Sequence, residues 1–133
     1  MHKILIVDDD PVTRTILART VESEKCVCVQ LSQGKLALDF LRDNPDISLV
    51  ITDMSMPELD GRALIKVLRQ DNDLKAIPVI IVSGVVSLHE IYDLLGNGAD
   101  YFVPKPVDTE VLQTYVNRLL HKRQQPTCQA QSL

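Results

Sequence analysis

The stretch Ile4-Leu5-Ile6-Val7-Asp8-Asp9-Asp10-Pro11 carries three signals in direct succession. The apolar, β-branched start reads as a strand covered on both faces. Three acids follow it without a break. Asp10-Pro11 then supplies a capping acceptor just before a proline at the first helical position. The expected unit is strand, acidic turn, helix.

Working outward, similar short runs recur at 27–31, 49–51, 79–82 and 101–103. Longer segments with helical spacing separate them. Ile16, Leu17 and Val21 suit one face of a first helix, and Leu36, Leu38, Phe40 and Leu41 a second. Leu64, Ile65 and Leu68 suit a third, and Leu88, Ile91, Leu94 and Leu95 a fourth. Val111, Leu112, Tyr115, Val116 and Leu119 suit a fifth. Strand and helix alternate five times, which predicts an α/β fold: a parallel sheet with helices on both faces. Ser87-Leu88-His89-Glu90 fits a capping box, Asp108 starts the last helix, and Gly98 stops the fourth.

Composition narrows the function. The 133 residues suit one domain, and the apolar share of 45% with 24% charged residues is that of a globular chain. The net charge of −4 offers no general attraction to nucleic acid or an anionic membrane. No apolar run approaches the ~20 residues of a membrane span. The chain runs from Met-His-Lys straight into its first strand, which predicts a cytoplasmic protein without a signal peptide. Three cysteines, Cys26, Cys28 and Cys128, are no disulfide framework. Cys26 and Cys28 alternate with valines and are expected to share one side of a strand as small hydrophobes. From 124 to 133 the composition turns polar and loses periodicity, which predicts a frayed tail or the start of a linker after a domain spanning 1–123.

In an open parallel sheet, ligands bind beyond the carboxyl ends of the strands where strand order reverses. The first strand ends in Asp8-Asp9-Asp10, the third in Asp53, the fourth in Ser83-Gly84 and the fifth in Pro104-Lys105-Pro106. Asp8, Asp9 and Asp53 brought together would repel one another unless some protonate or a cation neutralises them. Oxygen ligands without His or Cys suit Mg²⁺. A solvated acidic turn with a helix cap explains Asp10 alone. Lys105 approaches from the other side, offsetting the acids at rest and able to grip an anion. Pro106 after it is compatible with a cis peptide that aims the side chain. Ser83 supplies a hydroxyl, and Gly84 leaves space beside it. Asp60-Gly61 reads as the start of a helix, and His89 and His121 as solvated.

Four blocks in order, 4–10, 49–61, 82–84 and 105–106, resemble the receiver domain of two-component response regulators, over residues 3 to about 122. The resemblance implies a flavodoxin-like (βα)5 fold with strand order 2-1-3-4-5. It implies that Asp53 accepts a phosphoryl group from the phosphohistidine of a histidine kinase or histidine phosphotransfer protein. Asp9, Asp53 and the backbone carbonyl of Ser55 would hold Mg²⁺, for which Mn²⁺ could substitute, and Asp8 would act largely through a bound water. Ser83 would hydrogen-bond the phosphoryl oxygens and Lys105 would pair with them. Phe102 occupies the aromatic switch position, and Ser83 with Phe102 would relay the event to the face of the fourth helix, fifth strand and fifth helix. Arg14 and Thr20 lie on the first helix, which in the family helps dock the phosphodonor. Such a chain catalyses its own aspartyl phosphorylation and dephosphorylation but is primarily a switch. It acts on a downstream protein or output domain, with no direct nucleic acid, and homodimerisation through the output face is common in the family.

The sequence departs from the family pattern in places. Phe102 stands where tyrosine is usual, so a switch there works by packing, and ordinary core remains an equal reading. Ser83 replaces the commoner threonine, and Ser55 lies at a variable position. Other classes fit less well. A flavodoxin needs a hydroxyl- and glycine-rich phosphate loop where Asp8-Asp9-Asp10 stands, and the G-x-x-x-x-G-K-[ST] loop is absent. An aspartate-nucleophile phosphatase needs a second acid where Ser55 stands. A receiver-like scaffold that binds a partner without being phosphorylated is the remaining alternative.

Overall fold

The computed structural model describes residues 1–84 and 87–124. Strands β1 (His2–Val7), β2 (Cys26–Leu31), β3 (Leu49–Asp53), β4 (Val79–Ser83) and β5 (Tyr101–Pro104) alternate with helices α1 (Pro11–Val21), α2 (Gly34–Asp43), α3 (Gly61–Gln70), α4 (Leu88–Gly96) and α5 (Thr109–Gln124). The strands form one parallel sheet in the order β2-β1-β3-β4-β5. The chain therefore reverses its direction of growth between β1 and β3, and the ends of those strands flank the reversal. The expected tail lies, from residue 125 on, outside the described residues, as does Cys128.

Alternation along each strand divides the core in two. Leu5, Val7, Val50, Val79 and Ile81 face α2, α3 and α4, whose contributions include Ala37, Leu41, Leu64, Leu68 and Leu94. Ile4, Ile6, Leu49, Ile51, Ile80, Val82 and Val103 face α1 and α5. Every residue of β3 and β4 is buried, as a strand covered on both sides requires. Cys26 is buried with the second layer and Cys28 packs against it, so the two share a face as expected.

Helix starts follow the capping chemistry. Asp10 accepts from the amides of Val12 and Thr13, with Pro11 opening the helix. Asp60 accepts from Ala63, Ser87 from Glu90, and Asp108 from Glu110 and Val111. Gly98, at φ +118°, follows the end of α4. The half-buried Arg69 ties this end down, donating to the carbonyls of Gly98, Lys75 and Ile77 and pairing with Asp100 at 3.3 Å.

Four helix faces differ from expectation. In α1, Ala18 is buried and Ile16 is 45% exposed; in α2, Ala37 is buried and Leu36 is exposed. A helix lying close on a sheet favours a small side chain at the contact, and the larger neighbour turns outward. In α4 only Leu94 is buried, while Leu88 and Leu95 are exposed. Periodicity identifies which side chains share a face, not how much of it another element covers. In α5 the buried face adds Leu120 and leaves Val111 exposed.

Candidate functional site

Because β1 and β3 are neighbours with Val7 paired to Thr52, the residues that follow Val7 and Thr52 come together. Asp8, Asp9 and Asp53 each offer a carboxylate oxygen, and these atoms all lie within 4.8 Å of one another. Asp8 is fully buried, Asp53 nearly so, and Asp9 is exposed. Lys105 reaches the same point from the end of β5, its Nζ 3.1 Å from Asp8 Oδ2 and 3.4 Å from Asp53 Oδ2. The Lys105–Pro106 peptide is cis.

Each acid is held by its own set of contacts. Asp8 Oδ1 accepts from the Asp10 amide at 2.8 Å, and the Asp8 amide donates to Leu31 O at 3.1 Å. Asp53 Oδ1 takes a long bond of 3.4 Å from the Ser55 amide, and the buried Thr52 hydroxyl donates to Asp53 O at 2.9 Å. Ser83 is buried at the end of β4, and its carbonyl accepts from the Lys105 amide at 2.9 Å. This bond places the serine beside the lysine. Phe102 is half-buried against the layer that holds α3 and α4. The neighbouring Tyr101 stacks on Tyr115 of α5, ring centres 4.1 Å apart.

The electrostatics follow from this crowding. Burial, and then the charge of Asp8, raise the Asp53 carboxyl above its ordinary pKa of 3.8, and Lys105 only partly offsets them. Burial alone would lower the Lys105 ammonium, but Asp8 and Asp53 outweigh it and hold the lysine above its ordinary value. Asp10 is held below the usual range by the Thr13 hydroxyl and the Val12 amide, as a helix cap. The acids therefore lack positive charge, since one amine faces three carboxylates. The all-oxygen donor set, partly open through Asp9, suits a hard divalent cation.

The structure thus brings Asp8, Asp9, Asp53 and Lys105 into one cluster, with Ser83 at its edge. Asp10 caps α1, and His89 and His121 are exposed. Thr20 bonds back to Ile16 O. Three features had no sequence signal. Arg14 donates to Asp8 O at 2.6 Å, and Glu58 adopts φ 67° in the loop after Asp53. A β-carbon on Gly61 would lie 2.6 Å from Asp53 O, so α3 starts hard against the backbone of the acidic strand end.

A family model described as "Response regulator receiver domain" matches residues 4–117. The chain belongs to the response regulator receiver family. The two-component response regulator ORR3 of Oryza sativa is 35% identical to this receiver over 119 residues, 90% of this chain and 91% of that protein. ORR11 of the same species is 35% identical over 117 residues, covering 88% and 80%. Among solved structures, the Francisella response regulator 1452 receiver domain matches with a TM-score of 0.83 at 31% identity, covering 92% of this chain and 99% of that one. The signal receiver domain of a Syntrophus aciditrophicus signal transduction histidine kinase matches at 0.81 and 35%, covering 91% of each. Receivers thus share the five-stranded 2-1-3-4-5 sheet found here, and no helix among the described residues is long and apolar enough to cross a membrane.

Proposed function

We propose that Asp53 is the phosphoacceptor of this receiver and that the chain works as a Mg²⁺-dependent phosphorelay switch. The observation that carries this reading is the single Lys105 amine reaching both Asp8 and Asp53 where three carboxylates converge. Asp8, Asp9, Asp53 and the backbone carbonyl of Ser55 are the groups that would hold Mg²⁺ or Mn²⁺. When bound, the ion supplies the positive charge that lets an anionic phosphoryl group approach anionic acids.

A carboxylate oxygen of Asp53 forms the new P–O bond as the P–N bond to the donor's phosphohistidine breaks, and that electron pair returns to the imidazole. Lys105 exchanges part of its contact with the acids for the phosphoryl oxygens, and the Ser83 hydroxyl donates to another of them. Catalysis is then mostly positioning and charge stabilisation of a loose transition state. The later loss of the phosphoryl group to water, in which a water oxygen bonds phosphorus and the Asp53 carboxylate leaves, uses the same groups. The phosphoryl oxygens carry roughly −1.5 to −2 charges in place of the single charge of the carboxylate, so the sheet edge becomes more negative by about one charge. Movement of Ser83 toward them opens room beside β5 for Phe102, and the face of α4, β5 and α5 changes shape for a downstream protein or output domain.

The phosphodonor is a histidine kinase or histidine phosphotransfer protein, and the reaction belongs in the cytoplasm. The phosphoaccepting unit is the domain expected over 1–123, and α5 carries it on through Gln124. Incubation with a small-molecule phosphodonor and Mg²⁺, read by intact mass, tests the assignment. Wild type is expected to gain one phosphoryl group and Asp53→Asn none. Labelling of Asp53→Asn at the wild-type level overturns it, and a wild type that takes no label in Mg²⁺ favours the partner-binding scaffold.

A further inference from the structure

Asp9 is the exposed member of the acid cluster, and among the described residues its carboxylate makes no hydrogen bond or ion pair. No contact holds its side chain, so the direction from which it approaches the cluster is set by its backbone. Its neighbour Asp8 is pinned at four points. The amide goes to Leu31 O at 3.1 Å, Oδ1 takes the Asp10 amide at 2.8 Å, and Oδ2 takes Lys105 at 3.1 Å. The fourth point is the carbonyl, which accepts from Arg14 Nη1 at 2.6 Å. That carbonyl is half of the peptide joining Asp8 to Asp9, and among the described residues Arg14 is its donor.

We propose that Arg14 is a positioning residue for the cation site: by holding the Asp8 carbonyl it fixes the plane of the Asp8–Asp9 peptide, and with it the direction in which Asp9 presents its carboxylate. The inference rests on the reading of the acids as a Mg²⁺ site. Planarity of the peptide is what transmits the effect, since fixing the carbonyl also fixes the amide and Cα of Asp9. The α1 helix makes the reach possible. Arg14 lies in its first turn, its amide bonded to Asp10 O at 3.0 Å, and its guanidinium folds back over the turn that Asp10 caps. A hydrogen bond from a cation is also stronger than one from a neutral donor.

The test uses Arg14→Met, which keeps the aliphatic stem and removes the donor. Mg²⁺ titrations are followed by the backbone amide signals of Asp9 and Asp53, beside thermal melts in chelator. Loss of a group that orients a metal ligand weakens affinity by about tenfold or more, so the Mg²⁺ Kd should rise by at least about tenfold. The melting temperature in chelator should stay near wild type, and raising Mg²⁺ should restore the rate of phosphoryl labelling. Unchanged Mg²⁺ affinity overturns the proposal, and so does a labelling deficit that saturating Mg²⁺ leaves in place. Should Arg14→Met fail to fold, Arg14→Lys, which keeps the charge but ends short of the carbonyl, is read in the same way. A wild type without a saturable Mg²⁺ response overturns the metal reading and this inference together. Wild-type binding that Arg14→Met does not alter overturns this inference alone.

Discussion

The Lys105 ammonium donates to the buried Asp8 carboxylate at 3.1 Å across 97 residues of sequence, joining the turn after β1 to the turn after β5. Since Lys105 keeps a quarter of its side-chain surface while Asp8 keeps none, the pair is neither a surface ion pair nor a sealed one. The amine is held firmly enough to offset the acids, yet it is not sealed from solvent.

Replacing Lys105 by Met leaves Asp8 and Asp53 facing each other without their amine. Breaking a fully buried pair costs ~3–5 kcal/mol. Partial exposure and proton uptake by Asp53 reduce this to about 1–2 kcal/mol in chelator. Mg²⁺ should narrow the gap to wild type, because it replaces the missing charge. Phosphoryl labelling should fall on the order of a hundredfold, as expected when one charged donor to the transition state is lost. Urea unfolding with and without Mg²⁺ measures the first effect; equal stability of the two chains in chelator would contradict it.

Asp53 gives the chain a pH signature. Its carboxyl is raised above 3.8 by burial and by Asp8. Between 3.8 and that raised value the folded chain holds a proton that the unfolded chain has released. Stability therefore falls as pH climbs through this window. Asp53→Asn has no such proton, so in chelator its stability should lack the fall and should overtake wild type as pH increases. Parallel stability–pH curves for the two chains would show that Asp53 is not crowded by its neighbours.

Gly61→Ala tests how tightly α3 is set against the acidic strand end. The added carbon would meet Asp53 O at 2.6 Å and Met54 Cα at 3.0 Å, both backbone atoms that cannot swing aside. The expected cost is about 1–3 kcal/mol. Labelling should slow even where the variant is fully folded, because relief of the clash displaces Asp53 itself. A variant with wild-type stability and wild-type labelling would mean that the loop yields freely.

How much of this was readable beforehand varies with the physical cause. The sheet was legible because strands covered on both faces leave continuous apolar runs, as at 49–51 and 79–82, and both are wholly buried. The cluster of Asp8, Asp9, Asp53 and Lys105 was legible because a parallel sheet delivers all strand ends to one edge. The outward turn of Ile16 and Leu36 was not, because the contact is made by the alanines Ala18 and Ala37, which carry little periodic signal. Nor was the bond from Arg14, since the resemblance placed this arginine only on the helix that helps dock the phosphodonor, and helical spacing does not say that its guanidinium turns back to Asp8 O. Phe102 is half-buried, so its packing leaves open both readings that the sequence allowed.

The chain's own fluorescence can report the switch. It has three tyrosines and no tryptophan, and the tyrosines fall on α4 (Tyr92), β5 (Tyr101) and α5 (Tyr115), the three elements of the expected output face. Tyr92 is 78% exposed, while Tyr101 and Tyr115 stack with their ring planes 4° apart. Phe102 follows Tyr101 on the same short strand, with its side chain on the opposite sheet face. Inward movement of Phe102 would shift β5 and disturb that stack without any added label. Beryllofluoride with Mg²⁺, an analogue of the phosphoryl group, should therefore change tyrosine emission in wild type and leave Asp53→Asn unchanged. Phe102→Ala should bind the analogue yet show a smaller change, since the moving ring is gone. An emission change of wild-type size in Phe102→Ala would assign the movement to α4 and leave Phe102 as core.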